Sequence, residues 1–173
     1  MADYVLFTDS TTDLSPELVA EMDVAVLPLG FTLDGQNYRN YPDNRDLSPK
    51  AFYDKLRAGG MSTTSQINQT TFEEAFSPVL EAEHDGIGQG ELAELLGIRA
   101  PSASELIERL AAEELREKFP GRTIECVDSL QASMGEGLAV YYAATLKNEG
   151  KSLAEVADWF EAIIFAQNLG MEK

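Results

Sequence analysis

A chain of 173 residues, 44% of them hydrophobic, has the size and apolar content of one medium globular domain. Thirty acidic side chains against thirteen Lys and Arg give a net charge of −17. That excludes ordinary nucleic-acid binding, whose affinity comes from clustered cations, and works against an anionic membrane surface.

Cys126 is the only cysteine and His84 the only histidine, so no internal disulfide and no Cys/His metal cluster can form. No cofactor is implied. No apolar run approaches the roughly 18 residues of a membrane span. The opening Met1-Ala2-Asp3-Tyr4 lacks the basic-then-apolar layout of a secretory signal, and the expected compartment is the cytoplasm.

Tyr4-Val5-Leu6-Phe7-Thr8 reads as a buried strand and runs into the polar cluster Asp9-Ser10-Thr11-Thr12-Asp13. Ser15-Pro16-Glu17-Leu18 has the serine cap and first-turn proline of a helix start. Val24 to Leu29 is a second strand. Phe31-Thr32-Leu33 and Asn37-Tyr38-Arg39 flank Asp34-Gly35, which predicts a tight hairpin. Leu47-Ser48-Pro49-Lys50 opens a helix that Gly59-Gly60 stops.

Ser62-Thr63-Thr64-Ser65-Gln66 reads as a polar stretch between helices, and Thr70-Thr71-Phe72-Glu73 as the start of the next one. Thr123 to Val127 is a strand with Cys126 as a small buried apolar residue, ending in Asp128-Ser129. A helix follows from about Gln131 to Asn148. Ser152 caps a last helix bearing Leu153, Val156, Trp159, Phe160, Ile163 and Ile164. Strands alternating with helices predict an α/β three-layer sandwich with a mostly parallel sheet, drawn as one domain over 1–173.

In such sheets ligands bind outside the carboxyl ends of the strands. Asp9, Ser10 and Ser129 stand there, and the loop carrying Thr64, Ser65 and Gln66 can join them. Hydroxyl and backbone donors without positive charge suit one carboxylate or phosphate held by hydrogen bonds. Glycine-rich dinucleotide, Walker and nucleophile-elbow motifs are all missing from the sequence, so a binding scaffold rather than an enzyme is expected.

The ordered motifs resemble the N-terminal domain of the DegV family. They are Asp9-Ser10-Thr11-Thr12-Asp13-Leu14, Val26-Leu27-Pro28-Leu29, Asp46-Leu47-Ser48-Pro49, Thr64-Ser65-Gln66, and Val127-Asp128-Ser129 with Ser133-Met134-Gly135. The resemblance implies a fatty-acid-binding protein that is not itself a catalyst. It implies that Thr64 holds the carboxylate, with a serine from a later loop and a second domain closing over the tail. That serine loop finds no match between Glu83 and Leu110, and the sequence ends without the second domain. The expected lipid binding is therefore weak, in a monomer or homodimer.

Residues 86–110 instead resemble a repressor helix-turn-helix. Gly97 would end its first helix, and Leu106, Ile107 and Leu110 of its second would face inward. Seven Glu against four Arg/Lys over 91–118 disfavour DNA binding by that pair. An inserted helical hairpin and a chimeric or engineered origin, with a scaffold that has no ligand, are the expectations attached to this segment.

Overall fold

The computed structural model describes residues 4–81, 94–99, 103–129 and 133–170. Its elements run β1 (Tyr4–Asp9), α1 (Pro16–Met22), β2 (Val24–Leu27), β3 (Gly30–Leu33), β4 (Gln36–Arg39), α2 (Pro49–Arg57), β5 (Ser62–Ser65), α3 (Gln69–Glu81), β6 (Glu94–Arg99), α4 (Ala103–Lys118), β7 (Thr123–Asp128), α5 (Met134–Asn148) and α6 (Leu153–Gly170). None of the described helices is long and apolar enough to cross a membrane.

Two sheets form. β2-β1-β6-β7 is four-stranded and parallel throughout, while β4-β3-β5 is three-stranded and antiparallel. The expected single, mostly parallel sheet is thus divided. Asp34 and Gly35 both take positive φ, 52° and 78°, the two-residue turn whose twist matches a hairpin. That turn folds β4 back on β3 within the small sheet, which the chain enters between Leu27 and Gly30.

Helices cover both faces of the parallel sheet. On one face Leu6 and Val24 pack with Val140 and Ala143 of α5 and with Val156 and Phe160 of α6. On the other, Phe7 and Ile124 pack with Phe72 and Phe76 of α3 and with Ala112 and Leu115 of α4. Phe7 meets Phe76 edge-on, with ring centroids 4.8 Å apart. Cys126 is half-buried beside this second core rather than fully buried within it.

The helix-turn-helix expectation is overturned by β6. Glu94–Arg99 is a central strand, with Gly97 level with Phe7 on one side and Cys126 on the other. A short run such as Leu95-Leu96-Gly97-Ile98 fits a buried parallel strand as well as a helix. Two open parallel edges, β1 and β7, decide for the strand. The second helix of the expected pair does form, as the first part of the continuous α4. Leu110 is exposed on it rather than inward-facing, while Ala111, Ala112 and Leu115 are buried. The glycines of 86–90 and the side chains of Leu106 and Ile107 lie outside the described residues.

The serine caps are in place. Ser15 and Ser48 accept the backbone N–H groups of Leu18 and Ala51 at 3.3 and 3.2 Å, each followed by proline at the first helical position. The polar stretch after α2 is not a loop but the edge strand β5. It carries no apolar residue, so its pairing with β3 leaves no hydrophobic alternation in the sequence.

Candidate functional site

β1 ends at Asp9, where the chain turns into a short 3-10 segment, Ser10–Thr12. The Asp9 carboxylate accepts the Thr11 N–H at 2.7 Å and the Thr11 hydroxyl as well. The Thr12 hydroxyl donates to the Asp9 carbonyl at 2.9 Å. Glu136, fully buried in the first turn of α5, accepts from Thr8 Oγ1 at 3.3 Å and lies 2.8 Å from Thr11 Oγ1, whose single hydrogen it shares with Asp9. Two acidic residues thereby anchor this loop from beneath.

Ser10 is 6% exposed, and its hydroxyl oxygen accepts two hydrogen bonds. One comes from the Leu29 N–H at 3.0 Å and one from Asn40 Nδ2 at 3.3 Å. A serine hydroxyl has two lone pairs and one hydrogen. With both lone pairs engaged, the hydrogen is left to donate.

Ser10 lines a cavity of about 550 Å³, within the usual range for small-molecule pockets. Ser10, Thr11, Ser62 and Thr64 contribute hydroxyls to the wall. Leu29, Phe31, Leu47, Phe52 and Tyr53 contribute apolar surface. Phe31 stacks on Tyr38 at 5.3 Å and meets Phe52 edge-on at 5.5 Å, so α2 holds the apolar wall against the small sheet.

Alternation along β5 decides which hydroxyls reach this cavity. Ser62 and Thr64 line it. Thr63 points to the other face, where its hydroxyl meets that of Thr32 at 2.7 Å. Ser65 lies on that other face too, lining a neighbouring groove with Asn37 and Asp46. Gly30 is level with Ser65, and an added Cβ there would sit 2.6 Å from Ser65 Oγ, so the serine hydroxyl would have to turn aside.

Of the residues expected at the site, Ser10 and Thr64 therefore share one cavity wall. Asp9 stands behind the wall, as the cap of the 3-10 turn. Ser129 is buried and Gln66 exposed, and neither lines the cavity. The serine loop expected after the central strand would fall at 100–102, outside the described residues.

Asn40, Glu136, Arg39 and Ser62 are the residues sequence reasoning passed over. The segment from Arg39 to Leu47 closes one side of the cavity and is tied within itself. The Arg39 N–H donates to Asp46 at 2.8 Å, and Arg45 pairs with Asp43 at 2.8 Å while lying 4.3 Å over the Tyr41 ring. The hydrogen bond from Arg45 holds the exposed Asp43 carboxyl below its ordinary range. No group of acidic, histidine or cysteine side chains able to hold a metal ion occurs among the described residues.

Comparison with known proteins gives this geometry a family. The model of the family described as "Uncharacterised protein, DegV family" matches residues 4–171. A DegV domain-containing protein of Clostridium perfringens is 42% identical over 161 residues, 93% of this chain and 53% of that protein. A solved DegV family protein of Thermus thermophilus, described as binding fatty acid, superposes with a TM-score of 0.75 at 32% identity, covering 92% of this chain and 52% of that one. A stearic-acid-binding protein of Eubacterium ventriosum shares the fold at 22% identity, with a TM-score of 0.75, covering 94% of this chain and 53% of that one. The chain spans about half the length of the relatives it matches. The match runs through the segment first read as an insert, and nothing in it supports a spliced origin. The chain belongs to the DegV family.

Proposed function

We propose that this DegV-family chain binds a fatty acid, with the carboxylate at Ser10 and Thr64 and the acyl chain along Leu29, Phe31, Leu47 and Phe52. The observation that carries the reading is the state of Ser10. Its two acceptor positions are filled by Leu29 and Asn40, so its hydrogen is left to donate, and Thr64 brings a second hydroxyl to the lining of the same cavity. A carboxylate is acceptor-only and complements two donors. The fatty-acid binding ascribed to the Thermus thermophilus relative supports the same ligand class.

The role is binding rather than catalysis. Neither hydroxyl has a histidine or lysine beside it in the cavity wall to act as base. Hydrogen bonds to a charged group are worth about 1.5–3 kcal/mol each, and burial of the tail supplies the rest.

The test is titration of the purified chain with palmitate, read by calorimetry and by native mass spectrometry of the complex. Thr64→Ala is expected to weaken binding roughly tenfold, about 1.4 kcal/mol. Thr63→Ala, one residue along on the opposite face, is expected to leave it unchanged. Equal binding by the wild type and Thr64→Ala would remove the headgroup from this place.

A further inference from the structure

The helix layer formed by α1, α5 and α6 has a second surface feature, remote in role from the hydroxyl cavity. Its order follows the strands beneath it: α1 lies by β2, α5 over β1 and β6, and α6 over β6 and β7. α5 is therefore the middle helix. An ordinary middle helix presents polar residues outward. This one presents Met134, Leu138, Tyr141 and Tyr142, exposed by 81%, 53%, 46% and 46%.

Their spacing puts them on one stripe, since residues three and four apart on a helix are neighbours. The stripe continues across the helix boundary. Tyr142 lies 6.0 Å from Tyr141 and 5.8 Å from Trp159 of α6, centroid to centroid. A single exposed leucine needs no explanation, but a contiguous apolar and aromatic stripe on an otherwise charged protein marks an interaction surface.

The flanks state what kind of partner fits. α1 exposes Glu17 and Glu21, and α6 exposes Asp158 and Glu161. Neither helix contains a lysine or arginine. The one cation of α5, Lys147, is buried and paired with Asp23 at 3.4 Å. An apolar stripe between acidic margins is complementary to a helix with an apolar face and basic edges. A second copy of a chain with net charge −17 brings like charge to the same margins. Anionic lipid does the same.

We infer that the outer face of α5, bordered by α1 and α6, docks a basic amphipathic helix of a partner protein. The stripe from Met134 to Tyr142 spans eight helical steps, about 12 Å at 1.5 Å per residue, enough for roughly two turns of such a helix to seat its apolar side.

Trp159 is the only tryptophan and borders the stripe, so its emission reports occupancy. The probe is a synthetic helix of about five turns with leucine on one face and lysine on the other. We expect saturable binding that weakens about tenfold or more in the Leu138→Glu, Tyr141→Glu double variant and falls as salt is raised. Tyr141→Ser is a milder second variant, and circular dichroism checks that both stay folded. Four results overturn the inference. The peptide fails to bind, or the double variant binds it as well as the wild type. A scrambled peptide of the same composition binds equally, showing bulk charge alone. Alternatively, the face is taken by another occupant: sedimentation shows a dimer that the double variant abolishes, or the protein pellets with phosphatidylcholine vesicles in a way the double variant prevents.

Discussion

Thr11 Oγ1 lies 2.8 Å from Glu136 Oε2, which ties a hydroxyl on the cavity wall to a carboxyl with no exposure to solvent. The contact joins residues 125 positions apart and fixes the first turn of α5 onto the loop after β1. Thr8 adds a second donor to the same carboxyl.

Glu136→Ala is accordingly expected to destabilise the chain by about 1–3 kcal/mol, since Thr8 loses its acceptor inside the protein and Thr11 keeps Asp9 alone. Glu136→Gln keeps one acceptor oxygen and is expected to cost less. Urea unfolding of the three proteins checks the order. Equal midpoints for Glu136→Ala and the wild type would mean that the carboxyl holds nothing.

The next residue makes the same junction possible by having no side chain. A Cβ on Gly137 would stand 2.6 Å from the Thr12 carbonyl oxygen, a backbone atom that cannot rotate away. Exposed glycines inside helices usually gain up to about 1 kcal/mol when changed to alanine. Here overpacking reverses the sign, and Gly137→Ala is expected to cost about 1–3 kcal/mol. Thermal unfolding checks it. A higher melting temperature would show that α5 can shift outward freely.

Much of the architecture was legible because local chemistry and global fold agree. Asp34-Gly35 announces its turn, and Ser15-Pro16 and Ser48-Pro49 announce their helices. β6 was not legible. Leu92, Leu95 and Leu96 carry helical spacing, and only the unfilled edges of β1 and β7, far away in sequence, select the strand. β5 hid for the opposite reason, since Ser-Thr-Thr-Ser has no apolar pattern at all. Within the site, Ser10 and Thr64 stood out as motif hydroxyls. Glu136 gave no signal, because one acid in a helix rich in alanine and tyrosine reads as surface until α5 docks on β1. Asn40 is silent likewise, its role being to fill a lone pair of Ser10 across the fold.

That role gives Asn40 a measurable consequence. Asn40→Ala removes one donor to Ser10 Oγ and frees a lone pair. The Ser10 oxygen then has an acceptor position open, so it no longer meets a ligand only as a donor. We expect palmitate binding to weaken about threefold to tenfold, with little loss of stability because Asn40 is exposed. Calorimetric titration beside a thermal melt separates the two effects. A variant that unfolds early but binds normally once folded would make Asn40 a purely structural tie.

The start of α6 supplies the clearest pH dependence. Ser152 and Glu155 cap each other: the Ser152 N–H donates to Glu155 Oε2 at 2.9 Å, and the Glu155 N–H donates to Ser152 Oγ at 3.3 Å. Lys151 adds a hydrogen bond to the same carboxylate at 2.9 Å. The Lys151 hydrogen bond first, then those from Ser152, bring the Glu155 carboxyl from 4.5 down to about 2. A carboxyl more acidic in the folded chain than in the unfolded one stabilises the fold when ionised. Its contribution is complete above about pH 4.5 and is lost as the pH falls through about 2. Glu155→Gln is therefore expected to melt below the wild type at pH 6, with the gap closing between pH 4.5 and 2 and narrowing in high salt because the group is exposed. A gap that stays constant down to pH 2 would assign the effect to packing of the side chain rather than to its charge.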